Sequence, residues 1–194
     1  MFDKLKAIDR QIFIYLNSLG VENYDLFWGT ITQIKVWIPL FLFFFYLIIK
    51  YYKKDVAIKL SAATIVLVIF VAGLTDLVKN LVGRVRPSNN PDLAEVIRAL
   101  QTPHNYSFFS GHASSSFALT TFVVLLIRHH TKWAYTFYVW PILLCFSRIY
   151  VGVHYPSDIL VGALVGTSIA FFCYKWYVKP QILLKHSAYG KPIS

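Results

Sequence analysis

Three short stretches of this chain gather side chains whose types suit phosphate chemistry. KNLVGRVRP carries Lys79, Arg84, Arg86 and Pro87; SFFSGHASSS carries Ser110, Gly111 and His112; SRIYVGVHYPSD carries Arg148, His154 and Asp158. Lys79, Arg86 and Arg148 are cations that suit the equatorial oxygens of a phosphoryl group. The backbone N–H groups after Ser110 and Gly111, at the start of a helix, make a natural anion site. One imidazole could attack phosphorus while the other protonates the leaving oxygen. Asp158 could hold the attacking ring in the correct tautomer. No Cys, His, Asp or Glu spacing resembles a zinc or two-metal site, so neither metal nor other cofactor is expected. The cations would supply the electrostatic stabilisation instead.

Taken singly, most of these residues have a plainer explanation. Lys79 and Arg86 suit interfacial anchors, and Ser110 suits a helix N-cap. Pro156 suits a first helical position, which places Asp158 near the third, where a carboxylate favours any helix. His112 and His154 would each pass as interfacial polar residues, and His129 and His130 as decoration of a loop. Arg148 resists such a reading. It sits among Phe146, Ser147, Ile149 and Tyr150, where an unpaired charge costs roughly 2.5–3.5 kcal/mol or more.

The elements that must bring the three stretches together are apolar. Of 194 residues, 57% are apolar, 18% aromatic and only 14% charged, with a mean hydropathy of +0.54. That length holds one domain, residues 1–194. The composition excludes a soluble fold, a disordered chain and a disulfide scaffold. Cys145 and Cys173 lie inside apolar runs and read as buried thiols. Uncharged runs at 36–49, 60–75, 113–127, 133–147 and 159–174 predict five transmembrane helices, lengthened at their ends by Tyr, Trp, Lys and Arg. The fold class expected is an all-α integral membrane bundle. Residues 1–25 repeat Phe2, Leu5, Ile8, Ile12 and Leu16 at helical spacing between charges, which predicts an amphipathic helix lying in the interface. A sixth span across 12–31 is the alternative. A cleaved leader is not expected, because Asn17 interrupts the apolar stretch and Asp3 and Asp9 stand in the would-be basic region.

Loop charges orient the bundle. The segments carrying Lys50, Lys53, Lys54 and Lys59, then Arg128 and Lys132, then Lys175, Lys179, Lys185 and Lys191 share one face if the spans alternate. They hold ten basic residues against the single acid Asp55. The positive-inside rule makes that face cytoplasmic, together with a tail at 180–194, and makes the face of the three phosphate-handling stretches exoplasmic. The location expected is the cell (inner) membrane. The net charge of +10 is thus largely topological, and no nucleic-acid partner is expected.

The three stretches resemble, in order, the signatures of the type 2 phosphatidic acid phosphatase superfamily. That superfamily includes membrane lipid phosphatases and shares its site with vanadium haloperoxidases and acid phosphatases. Lys79, six residues, then Arg86-Pro87 is similar to the first signature, and Ser110-Gly111-His112 to the second. Ser147-Arg148, five residues, His154, three residues, then Asp158 is similar to the third. The likeness runs over about residues 50–174. It implies a phosphohistidine on His154, oriented by Asp158, with His112 as the acid and base. It also implies phosphoryl binding by Lys79, Arg86, Arg148, Ser110 and Gly111, without a metal. Phe109 stands where the family usually has Pro. Many small bacterial relatives have a further span ahead of the amphipathic segment, at which this chain begins; its N-terminus is therefore expected on the exoplasmic face.

A loop of moderate length at 88–106, with no sugar-binding aromatic cluster, suits a simple lipid phosphate or diphosphate. Undecaprenyl diphosphate is the first expectation, with phosphatidylglycerol phosphate, phosphatidic acid and lipid A phosphates behind it. Transfer of the phosphoryl group to an alcohol would use the same residues. A non-catalytic lipid-binding relative would lack part of the set, and haloperoxidase relatives are soluble.

Overall fold

Several helices in this protein begin or end where Pro, Gly or Ser residues stand. The computed structural model describes residues 2–178, so Lys179, Lys185, Lys191 and the tail expected at 180–194 lie outside the described residues. The described residues form α1 (Phe2–Ser18), α2 (Asp25–Ile31), α3 (Ile38–Tyr51), α4 (Lys54–Val82), α5 (Gly111–Ile127), α6 (Val139–Tyr150) and α7 (Pro156–Cys173), with no strand among them. This is an all-α membrane bundle. Ile34–Tyr51, Lys54–Leu93 and Pro156–Val178 contain stretches long and apolar enough to cross a bilayer, and Gly111–Ile127 is a shorter apolar helix. At 1.5 Å per residue α5 spans about 25 Å, short of a ~30 Å hydrocarbon core.

Local chemistry explains the boundaries. Pro39 and Pro156 sit in the first turns of α3 and α7, where a missing N–H costs nothing. Gly83 ends α4 in the left-handed region at φ +64°, its N–H bonded to the Lys79 carbonyl at 2.9 Å. The run at 133–147 is not one α-helix: Lys132–Tyr138 is 3₁₀ and α6 begins at Val139. Pro141 is the reason, since in a longer helix its ring would meet the carbonyl four residues back. The sixth span across 12–31 does not form either, because α1 stops at Ser18 and a separate short α2 follows. Asn17 makes that stop useful. Its buried amide donates to the carbonyls of Ile149, Tyr150 and Arg98 at 3.0–3.1 Å and accepts from the Arg98 N–H at 2.7 Å. Carbonyls at the end of α6 thereby gain a partner from α1, that of Ile149 beside the Gly152 N–H it also accepts at 3.0 Å.

α5 is the central element, apolar nearly all round and buried for most of its length. Its tightest neighbour is α7. A Cβ placed on Gly162 would stand 2.7 Å from the Ser110 carbonyl, and one on Gly166 would collide with the Ser114 carbonyl. Small residues four apart let the two backbones meet, a packing mode that serves helices in lipid. The same contact sets the site, because it fixes the start of α5 against the start of α7. The Ser110 N–H bonds the Asp158 carbonyl at 3.0 Å.

Candidate active site

All three stretches converge at one end of the bundle. Each sits at a helix terminus: Lys79 at the end of α4 with Arg86 just beyond, His112 at the start of α5, Arg148 near the end of α6, and His154 and Asp158 around the start of α7. Ser110 caps α5, its hydroxyl accepting from the Ala113 N–H at 3.4 Å. Tyr155, Pro156 and Ser157 place Asp158 at the third helical position, where its carboxylate accepts from the Tyr155 N–H at 2.9 Å. The plain helix-capping role and the site location therefore coincide in one residue.

His154 is 1% exposed. Arg86 Nη1 lies 3.0 Å from its Nε2. A guanidinium has only donors, so Nε2 must be the accepting nitrogen and Nδ1 must carry the proton. Nδ1 is 3.5 Å from Asp158 Oδ2 and 3.3 Å from the Ser107 hydroxyl, which itself donates to that same carboxylate oxygen. Ser107 thus bridges the ring and the carboxylate, so the orienting contact runs partly through it. Burial pushes His154 down to about 3, with Asp158 pulling the other way and the Arg86 charge adding to the depression. The ring is neutral at ordinary pH with its Nε2 lone pair aimed at the cation cluster, as a nucleophile requires.

The cations divide into two kinds. Arg86 is held by the Asn105 carbonyl and side-chain oxygen, both at 2.8 Å, and by the Val153 carbonyl at 2.9 Å. Arg148 donates to the Thr32 hydroxyl and, at 3.3 Å, to Gln101, while its buried Nε has no partner. Lys79 Nζ lies 3.8 Å from where a Gly111 Cβ would stand. All three are buried, and among the described residues none forms an ion pair with a carboxylate. Arg84, two residues before Arg86, is the opposite case. It bonds Asp158 at 2.6 Å and Asp9 at 2.7 Å. His112, half-buried, lies within electrostatic reach of Arg148, His154, Lys79 and Arg86.

Every site residue expected from sequence is therefore at this end, and the structure adds Asp9, Arg84, Asn105 and Ser107. Ser107 and Asn105 carry no sequence signal beyond lying near the second stretch. Asp9, Phe13 and Asn17 recur every four residues on α1 as a buried face flanking its apolar stripe, a pattern that could have singled out Asp9. Among the described residues no group of three or more His, Cys, Asp or Glu is placed to hold a metal ion.

One end of this helical membrane bundle thus gathers buried cations, without a carboxylate partner among the described residues, around a neutral histidine, an arrangement suited to an anion. Residues 59–182 match the PAP2 superfamily, and the chain belongs to it. It is similar to the lipid A 4′-phosphatase of Bacteroides thetaiotaomicron, with 31% identity over 172 residues covering 86% of this chain and 75% of that one. It is similar also to the undecaprenyl-diphosphatase of Sulfolobus acidocaldarius, with 31% identity over 137 residues, 70% of this chain and 61% of that one. The fold is that of a PAP2-type phosphatidylglycerolphosphate phosphatase from Bacillus subtilis, with a TM-score of 0.69 at 18% identity, covering 98% and 90% of the two chains. The protein is a membrane hydrolase of the lipid phosphatase class.

Proposed function

We propose that this protein hydrolyses an exoplasmic lipid phosphate through a phosphohistidine on His154. The observation that carries the proposal is the cluster of buried Lys79, Arg86 and Arg148, without a carboxylate partner, beside a neutral His154. Buried cations without counter-charge cost several kcal/mol each, and a phosphate dianion supplies that counter-charge.

Arg86 engages the Nε2 lone pair of His154. A bound phosphoryl group draws the guanidinium onto its own oxygens and frees Nε2. The Nε2–P bond forms as the P–O bond to the lipid breaks in line, and His112 gives its proton to the departing oxygen. His112 then takes a proton from water. The resulting hydroxide attacks phosphorus, the P–N bond breaks and inorganic phosphate leaves, restoring both rings. Lys79, Arg86, Arg148 and the first N–H groups of α5 after Ser110 and Gly111 hold the equatorial oxygens throughout.

For the substrate, the likeness to a lipid A 4′-phosphatase over most of this chain favours a lipid A phosphate monoester. Undecaprenyl diphosphate, the expectation from sequence, comes second, supported by the likeness to an undecaprenyl-diphosphatase. The charge of the loops supports a site on the periplasmic or outer face of the inner membrane, with the C-terminus in the cytoplasm. The test is phosphate release by the purified protein in vesicles from lipid A bearing its 4′-phosphate, undecaprenyl diphosphate, phosphatidylglycerol phosphate and phosphatidic acid. Fastest turnover is expected on the lipid A monoester. Wild-type rates from His154→Ala on any of them would end the phosphohistidine mechanism.

A further inference from the structure

We propose that Asp9 and Arg84 are positioning residues for the catalytic pair, through which α1 holds Asp158 against His154. The inference rests on His154 being the nucleophile.

The Asp158 carboxylate is fully buried and gripped from both sides. Its Oδ2 receives the Ser107 hydroxyl and the Tyr155 N–H and faces His154 Nδ1. Its Oδ1 is held by Arg84 Nη1 alone among charged groups, at 2.6 Å. That second grip sets the carboxylate plane, and with it the direction in which Oδ2 points. Arg84 is itself fixed on three sides: Asp9 Oδ2 at 2.7 Å, the Ser157 hydroxyl at 2.8 Å, and the Tyr155 ring face with its centroid at 4.0 Å.

Asp9 reaches this cluster from outside the sequence stretches that make the site. It is 9% exposed, on the inner face of α1, and its Oδ1 accepts from the Ser157 N–H at 2.9 Å. The outer face of α1 shows Leu5, Ile8, Ile12 and Tyr15, all exposed and at helical spacing. Its inner face is pinned by Phe13 against Tyr155 and by Asn17. The helix thus shows an apolar stripe outward and turns Asp9, Phe13 and Asn17 inward, the arrangement of an interfacial strap across the site.

Charge makes Asp9 more than a brace. Arg84 lies two residues from Arg86, beside a cluster meant to hold a dianion. A guanidinium that bonded Asp158 alone could turn to the substrate phosphate and leave the carboxylate without its cation. Asp9 takes the second arm of the fork, so Arg84 stays with Asp158 and out of the phosphate shell.

The test uses the full chain in vesicles, on whichever of the four lipids above the wild type turns over fastest, with His154→Ala alongside. Misplacement of a catalytic group by about 1 Å can cost about 10²-fold. Arg84→Gln should therefore lower kcat by about 10²-fold and Asp9→Asn by about tenfold, both with KM unchanged and inhibition by inorganic phosphate no weaker. Because Asp9 acts largely through Arg84, the double variant should lose less than the product of the single losses. Should Arg84→Gln fail to accumulate, the near-isosteric Asp9→Asn carries the test. A kcat within about twofold of wild type for Asp9→Asn, or a loss that falls on KM instead, overturns the proposal. If His154→Ala stays active, the nucleophile assignment fails first; if it is inactive while Asp9→Asn and Arg84→Gln are normal, only the positioning role fails.

Discussion

The two ends of the bundle carry the same residue types in opposite states. At one end Lys50, Lys53, Lys54, Lys59, Lys132 and Lys175 are all exposed. At the other, Lys79, Arg86 and Arg148 are 7%, 3% and 5% exposed, with neutral partners or none. Exposed lysines in water or among headgroups interact weakly and over long range, which suffices to orient a chain across a membrane. Desolvated cations act at short range and strongly, because little water screens them. On the proposed reading, burial, not charge count, separates topology from chemistry. Two arginines at the same end differ instead by partner: Arg84 is neutralised by Asp9 and Asp158, whereas Arg86 bonds carbonyls and an imidazole.

The contrast breaks if the buried set proves dispensable. His154→Ala should lower phosphate release to background in the vesicle assay, the largest effect expected. His112→Ala should cost about 10²–10⁴-fold in kcat, and Arg86→Met or Arg148→Met about 10²–10³-fold each. Lys54→Met and Lys59→Met, at the exposed end, should stay within about twofold of wild type. A comparable loss from the exposed lysines would mean that burial is not what distinguishes the two sets. Vanadate, whose trigonal-bipyramidal form resembles the transferring phosphoryl group, should inhibit and EDTA should not. Activity lost in EDTA and regained with a divalent ion would contradict a site run by Lys79, Arg86 and Arg148 alone.

Much of this site is legible in the amino-acid sequence, because its residues sit in three compact stretches and the apolar runs force those stretches to one depth. The helices are legible for the same reason, from run lengths and from Pro, Gly and Ser at their ends. What escapes depends on partner choice. Nothing in KNLVGRVRP tells which arginine faces carboxylates, since Asp9 lies 75 residues away in sequence and reaches Arg84 only through the seating of α1. Ser107 escapes because a serine three residues before a helix cap carries no period. The 3₁₀ lead-in to α6 is readable from Pro141, but an unbroken apolar run hides it. The α5–α7 contact is readable in part: GALVG has small residues four apart, yet only the fold says which helix they meet.

That contact sharpens the comparison from the packing side. It runs beside Ser110 and Ser114 at the start of α5, so crowding it should damage stability and site together. Gly166→Val would drive a side chain into the Ser114 carbonyl, and overpacking of this kind costs about 1–3 kcal/mol or more. A lower unfolding temperature in detergent is expected, with a loss of kcat in the protein that remains folded. Gly73, where an added Cβ meets nothing within 4 Å, is the control, and Gly73→Ala should leave both unchanged. Equal damage at the two glycines would mean that the α5–α7 approach is not limiting.

The smallest effect tests the neutral state of His154. An unfolded histidine takes up its proton near pH 6.5, whereas the folded His154 resists protonation until about 3. Between those values the unfolded chain binds the extra proton and the folded one does not. Stability from this group is therefore complete above about pH 6.5 and declines as pH falls toward 3, by up to about 1.4 kcal/mol per pH unit. Acidifying from pH 7 to pH 5 should cost the wild type about 2 kcal/mol through this residue alone. His154→Gln, which has no proton to gain, should lose correspondingly less over the same range, read as unfolding temperature in detergent at the two pH values. Parallel losses in the two proteins would mean that the buried ring takes up its proton over the same pH range as an unfolded one and is a cation by pH 5. In that case Nε2 would have no lone pair to offer phosphorus, and Arg86 would face a cation where the geometry gives it an acceptor.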